Sequence, residues 1–161
     1  MHPKKFALIG GIFMVLLGVL ALIPSLNTMQ SAGANLPALR VEDSYGLFLG
    51  YFPMNIFNKL ALIVFGFAGM AAANAPTTNL PKSILFARVI FFGMGALAIL
   101  GLITPTNTLN GYWPLFGFTI LEHAVFALIG AYFGYALPSA AKQINERNEK
   151  SAPIKQRAVK V

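Results

Sequence analysis

The 161 residues contain no cysteine. Disulfides, thiolate metal sites and cysteine nucleophiles are therefore excluded. Charge is almost as scarce, with Asp, Glu, Lys and Arg making up 11% of the chain, against about a quarter in a soluble domain. Five acidic residues and two histidines leave little for acid–base chemistry. Phosphate-binding P-loop, HExxH and GxSxG signatures are missing. Glu42 and Asp43 stand together in a polar loop, and Glu122 is alone in an apolar stretch, so no carboxylate pair falls inside an apolar segment. These absences argue against an enzyme.

What is present is apolar: 57% of residues are hydrophobic and the mean hydropathy is +0.67. Four runs reach the roughly 20 apolar residues that a bilayer span needs. They predict spans over about 6–23, 54–73, 83–104 and 115–137, with Pro24, Pro105 and Pro138 as stops. The first run, after Lys4 and Lys5, also resembles a signal peptide with Ser31-Ala32-Gly33-Ala34 as its small-residue cleavage region. It exceeds the usual apolar core of about 7–15 residues, so it is read as a span. Residues 44–52, SYGLFLGYF, are too short to cross and rich in aromatic rings, which favour the membrane–water interface. They predict a short interfacial helix, with Tyr112 and Trp113 as further interface anchors.

The net charge of +7 does not point to nucleic acid, because the basic residues sit at the ends of apolar runs. Nine Lys or Arg lie in the amino end, the Lys82 turn and the tail, against Arg40 alone in the two opposite loops. Cytoplasmic loops carry the Lys/Arg excess, so both termini are expected in the cytoplasm. The expected fold is thus all-α: an integral membrane four-helix bundle over residues 1–138, followed by a basic cytoplasmic tail over 139–161. That tail could hold anionic headgroups or an acidic partner, or merely fix topology.

The candidate site is an intramembrane polar cluster of Asn55, Asn58, Lys59, Glu122 and His123. Lys59 lies roughly 8 Å and Glu122 roughly 10 Å into their spans, at a rise of about 1.5 Å per residue. An unpaired charge at such depth costs about 3 kcal/mol even on lenient scales, which predicts that Lys59 and Glu122 approach each other. Arg88, near a span end, is expected to snorkel. Thr119, His123, Gly130 and Gly134 share one helical face, and Gly130 with Gly134 forms a small-xxx-small contact. Gly66 and Gly69 suggest another such face. His123 on that face reads as a packing residue, or alternatively as the axial ligand of a haem or a chlorophyll; no metal cluster is expected.

The stretches Tyr45-Gly46-Leu47-Phe48-Leu49-Gly50, Phe52-Pro53-Met54-Asn55, Gly66-Phe67-Ala68-Gly69 and Leu121-Glu122-His123 resemble a family of small four-helix membrane proteins. That family occurs in bacteria, including cyanobacteria, and is labelled only as a domain of unknown function. The likeness covers roughly Val41 to Leu137. Family members often carry a histidine early in the second span, where Asn58 and Leu62 stand here, which weakens a shared metal or pigment role. The resemblance implies the fold and transfers no activity.

Three functions remain open. The first is a non-enzymatic accessory, assembly or stabilising subunit, packing against a larger complex or against its own copies. The second is a pigment- or haem-binding protein using His123. The third is a small transporter or proton-linked sensor using Lys59, Glu122 and His123. The expected location is a bacterial plasma membrane or a cyanobacterial thylakoid membrane.

Overall fold

The computed structural model describes residues 2–28 and 37–158, with side chains as far as residue 148. The Ser31-Ala32-Gly33-Ala34 stretch lies outside the described residues. Helices dominate: α1 (Pro3–Ala21), α2 (Ile56–Asn74), α3 (Asn79–Leu102), α4 (Phe118–Ala131) and α5 (Leu137–Ala158). Four helical segments are long and apolar enough to cross a membrane: Pro3–Ala21, Ile56–Asn74, Asn79–Leu102 and Phe118–Asn148. This composition fits a membrane protein.

Residues 44–52 form no interfacial helix. They enter a small antiparallel sheet of β1 (Asn27–Thr28), β2 (Gly46–Phe48) and β3 (Phe52–Met54), so the fold is mostly rather than wholly α. Phe48 pairs with Phe52 across a three-residue turn in which Leu49 and Gly50 both take positive φ, 52° and 79°. Aromatic residues flanking a glycine turn are a hairpin signal, and it outweighs the helical spacing of the same rings. Pro53, just before the predicted second span, sits in edge strand β3, where its missing N–H leaves no ladder partner unmet.

Asn55 starts α2 in place of Pro53. Its side chain accepts from the Phe57 and Asn58 amides, and Asn58 Oδ1 accepts from the Asn55 amide at 3.1 Å. This reciprocal capping box satisfies donors that a helix start leaves free.

Helix pairs meet where side chains are small, as expected when no hydrophobic drive pulls helices together in lipid. A Cβ on Gly66 would lie 2.6 Å from the Gly11 carbonyl oxygen of α1. Gly69 faces Phe86 and the Ala7 carbonyl, and Gly130 sits against the Ala87 carbonyl and Phe91 amide of α3. Phe6, Phe86 and Phe133 fill the core at one end, Phe6 stacking on Phe133 with ring centres 4.8 Å apart.

Pro138 does not end the fourth helix. A π-turn over Tyr132–Ala136 links α4 to α5, and the helical backbone continues through the proline. Proline clashes with the carbonyl four residues back and cannot donate to it; here that residue is Gly134. The wide turn gives the ring room, and Arg88 Nε donates to the Gly134 carbonyl at 3.0 Å. Arg88 also lies over the Tyr135 ring, 4.8 Å from its centre. It lies ten residues into α3 rather than near its end, and serves as a helix-mending residue with defined partners.

Candidate functional site

The polar residues at the start of α2 are held by the chain itself. Lys59 is completely buried, and its Nζ donates to the Ser44 carbonyl at 2.7 Å, Ser44 Oγ at 2.8 Å and Asn27 Oδ1 at 3.2 Å. An ammonium has three hydrogens, so this set is complete. None of the three acceptors belongs to Glu122, and the expected Lys59–Glu122 approach does not form. The cause is the small sheet: it sets Asn27 of β1 and Ser44, just before β2, against α2, and their oxygens take the ammonium.

Asn27 and Asn55 extend the network. Asn27 Nδ2 donates to the Ala21 and Ile23 carbonyls, both at 2.8 Å, closing the end of α1. Asn55 Nδ2 donates to the Val41 carbonyl at 3.2 Å and the Tyr112 carbonyl at 2.8 Å. Through Asn55, Asn58, Lys59, Asn27 and Ser44, this end of the bundle is tied into one hydrogen-bonded unit. Tyr45 lies beside it outside the helices; burial, then the nearby Glu42 carboxylate, pushes its phenol above the usual tyrosine range.

Glu122 and His123 belong to a different place. Thr119, His123, Ala127 and Gly130 are the buried residues of α4. A cavity of about 80 Å³ lies between the helices, with Met14, Asn58, Trp113, Thr119, Glu122 and His123 among its walls. His123 Nδ1 and Trp113 Nε1 are both buried without a hydrogen-bond partner. The space admits water, which needs roughly 10–15 Å³ and two to four polar partners. A macrocyclic pigment does not fit in it, because drug-sized ligands already occupy about 300–1,000 Å³.

Beyond Glu122 lies an open apolar groove of about 330 Å³. Phe13 and Leu17 of α1, Phe48 and Phe52 of the hairpin, and Phe118 and Phe126 of α4 form much of it. Glu122 lines both the cavity and the groove. No hydrogen bond or ion pair joins it to another described residue. It is the one ionisable side chain in the wall of the groove.

Comparison with known proteins bears on this architecture directly. The family model described as "Domain of unknown function (DUF4383)" matches residues 4–136, well over half of the chain. The chain belongs to that family. The DUF4383 region takes in α1 to α4 and the π-turn, and it closes where the charged helix α5 begins. No curated protein and no solved structure matches the chain.

Within this DUF4383 chain the sequence-derived cluster therefore separates. Asn55, Asn58 and Lys59 join the capping network, whereas Glu122 and His123 face the cavity, where Asn58 meets them. Gly66, Gly69, Gly130 and Gly134 all serve helix contacts inside the chain. Among the described residues, no group of three His, Cys, Asp or Glu could hold a metal ion. Sequence reasoning missed Asn27 and Ser44, whose only signal was a polar loop after Pro24. It also read Trp113 as an interface anchor and did not foresee the cavity it lines.

Proposed function

We propose that the protein is a non-enzymatic integral membrane protein, with both termini in the cytoplasm, that packs against a larger membrane complex as an accessory, assembly or stabilising subunit. A bacterial plasma membrane or a thylakoid membrane suits its charge distribution. The carrying observation is Gly93. Every other glycine of α1 to α4, apart from lightly packed Gly10 and Gly95, meets a neighbouring helix closely, whereas a Cβ on Gly93 would meet nothing within 4 Å. Gly93 lies on an exposed stretch of α3 beside Phe92 and Ala96. Glycine in a helix interior costs about 0.5–1 kcal/mol against alanine, and outward small residues let a foreign helix approach closely.

The other readings draw less support. A transporter built on Lys59 needs a mobile ammonium, and this one is bonded on all three hydrogens. A pigment on His123 needs far more room than 80 Å³. The test is extraction of the tagged chain from its own membranes in mild detergent, followed by sizing and identification of co-eluting proteins. The expected particle is far larger than 17.3 kDa and dissociates in Gly93→Leu. A monomer-sized particle from native membranes overturns the proposal.

A further inference from the structure

We propose that the groove between α1, α4 and the hairpin binds a single-chain amphiphile whose head donates a hydrogen bond to Glu122. This site does not depend on the accessory-subunit reading, because Gly93 takes no part in it.

Three observations carry the inference. First, the groove has the size of a ligand pocket, about 330 Å³ against a usual 300–1,000 Å³. Its lining of Phe13, Phe48, Phe52, Phe118 and Phe126 suits a slender apolar chain. Second, Glu122 lies in that wall with no partner among the described residues. The cation nearest in expectation, Lys59, is committed to Ser44 and Asn27. A carboxyl in apolar surroundings demands a hydrogen-bonding partner, and the opening that reaches it from outside is the groove. Third, Leu49 lines the rim at φ 52° and is 55% exposed. A branched residue held in the left-handed region costs about 1–2 kcal/mol, and such strain gathers at ligand clamps. Here it points an apolar side chain at the groove mouth where glycine would relieve it.

The chemistry follows from Glu122. A hydroxyl or an ammonium on the end of a long chain can donate to the carboxyl. A fatty acid sets a second acidic group against it, and a bare hydrocarbon leaves it unmet. Because Glu122 also lines the inner cavity, the head would sit within reach of the wall that carries Asn58, Trp113 and His123.

Trp113 is the one tryptophan of the chain and lines the cavity that shares Glu122 with the groove, so its fluorescence is a single-position signal from next to the proposed head site. The detergent-purified full chain is titrated with a chain-brominated long-chain alcohol, the matching amine, the fatty acid and the alkane. Saturable quenching by the alcohol, the amine or both is expected, and little by the other two. Glu122→Leu is expected to weaken that binding at least tenfold. Glu122→Gln keeps an acceptor and removes the charge, so it spares an alcohol and weakens an amine. Leu121→Trp would complicate the signal, so Val125→Phe serves as a second variant that fills the groove with Glu122 intact, and it too should abolish saturation. Equal quenching by all four probes, or binding unchanged in both Glu122→Leu and Val125→Phe, overturns the proposal.

Discussion

Replacing Arg88 should expose how the fourth helix survives its proline. In an unbroken α-helix the amide of residue 138 would donate to the Gly134 carbonyl, and proline has no such amide. Arg88 Nε supplies the missing donor at 3.0 Å and the guanidinium lies 4.8 Å from the Tyr135 ring centre. A hydrogen bond from a charged donor contributes about 1.5–3 kcal/mol in soluble proteins, but side-chain bonds between membrane helices average about 0.6 and reach about 1.7. Arg88 is exposed, so the lower range applies, and a cation–π contact at such a site adds about 0.5–1 kcal/mol. Arg88→Leu is therefore expected to cost about 1–2 kcal/mol, measured by reversible unfolding in mixed micelles. Pro138→Ala restores an amide that can reach Gly134. In that background Arg88→Leu should cost about 1 kcal/mol less, giving a coupling of that size in a double-mutant cycle. Costs that add to within about 0.3–0.5 kcal/mol would refute the idea that Arg88 stands in for the missing amide.

Other expectations concern the opposite end and the helix crossings. Lys59→Met leaves the Ser44 carbonyl and Asn27 Oδ1 without their donor and should cost about 2 kcal/mol by the same unfolding assay; an unchanged midpoint would show that the network is not stabilising. Gly66→Ala places a methyl 2.6 Å from the Gly11 carbonyl and should cost about 1–3 kcal/mol as overpacking, whereas Gly93→Ala, in open space, should cost nothing measurable or stabilise slightly. The raised pKa of Tyr45 has a defined sign: the folded state holds its proton longer, so the stability it contributes is complete below the ordinary tyrosine value and is lost as pH rises through the folded value. Tyr45→Phe should flatten the alkaline decline in stability above about pH 10, and an unaltered decline would assign it to other groups.

The four long helices were legible because apolar length is a strong one-dimensional signal. The polar pairing was not, because depth along a helix says nothing of what folds down onto its end. Lys59 and Glu122 look like partners when only the spans are counted. Asn27 and Ser44 reach Lys59 through a small sheet whose strands are two or three residues long, and such short strands leave little periodicity to detect. Pro138 misled for a related reason. A proline stops a helix unless another side chain supplies the lost bond, and that side chain, Arg88, lies 46 residues earlier than Gly134. His123 was easier: its spacing from Thr119 and Gly130 on α4 identifies the inward face, although the cavity beside it could not be foreseen.

The buried ammonium of Lys59 also constrains the order of biogenesis. A second helix released into lipid alone would carry a bare charge in its first turn, a cost that reaches about 3 kcal/mol only at a span's centre on the insertion scale. The oxygens that solvate that charge come from Asn27, just after α1, and Ser44, just before β2. Both are synthesised before Lys59. The sheet can therefore form before the ammonium emerges, and α1, the sheet and α2 would then insert with that charge already hydrogen-bonded. Lys59 stays an ion, but its hydration shell is replaced by oxygens of the chain itself at the most polar point of the second helix.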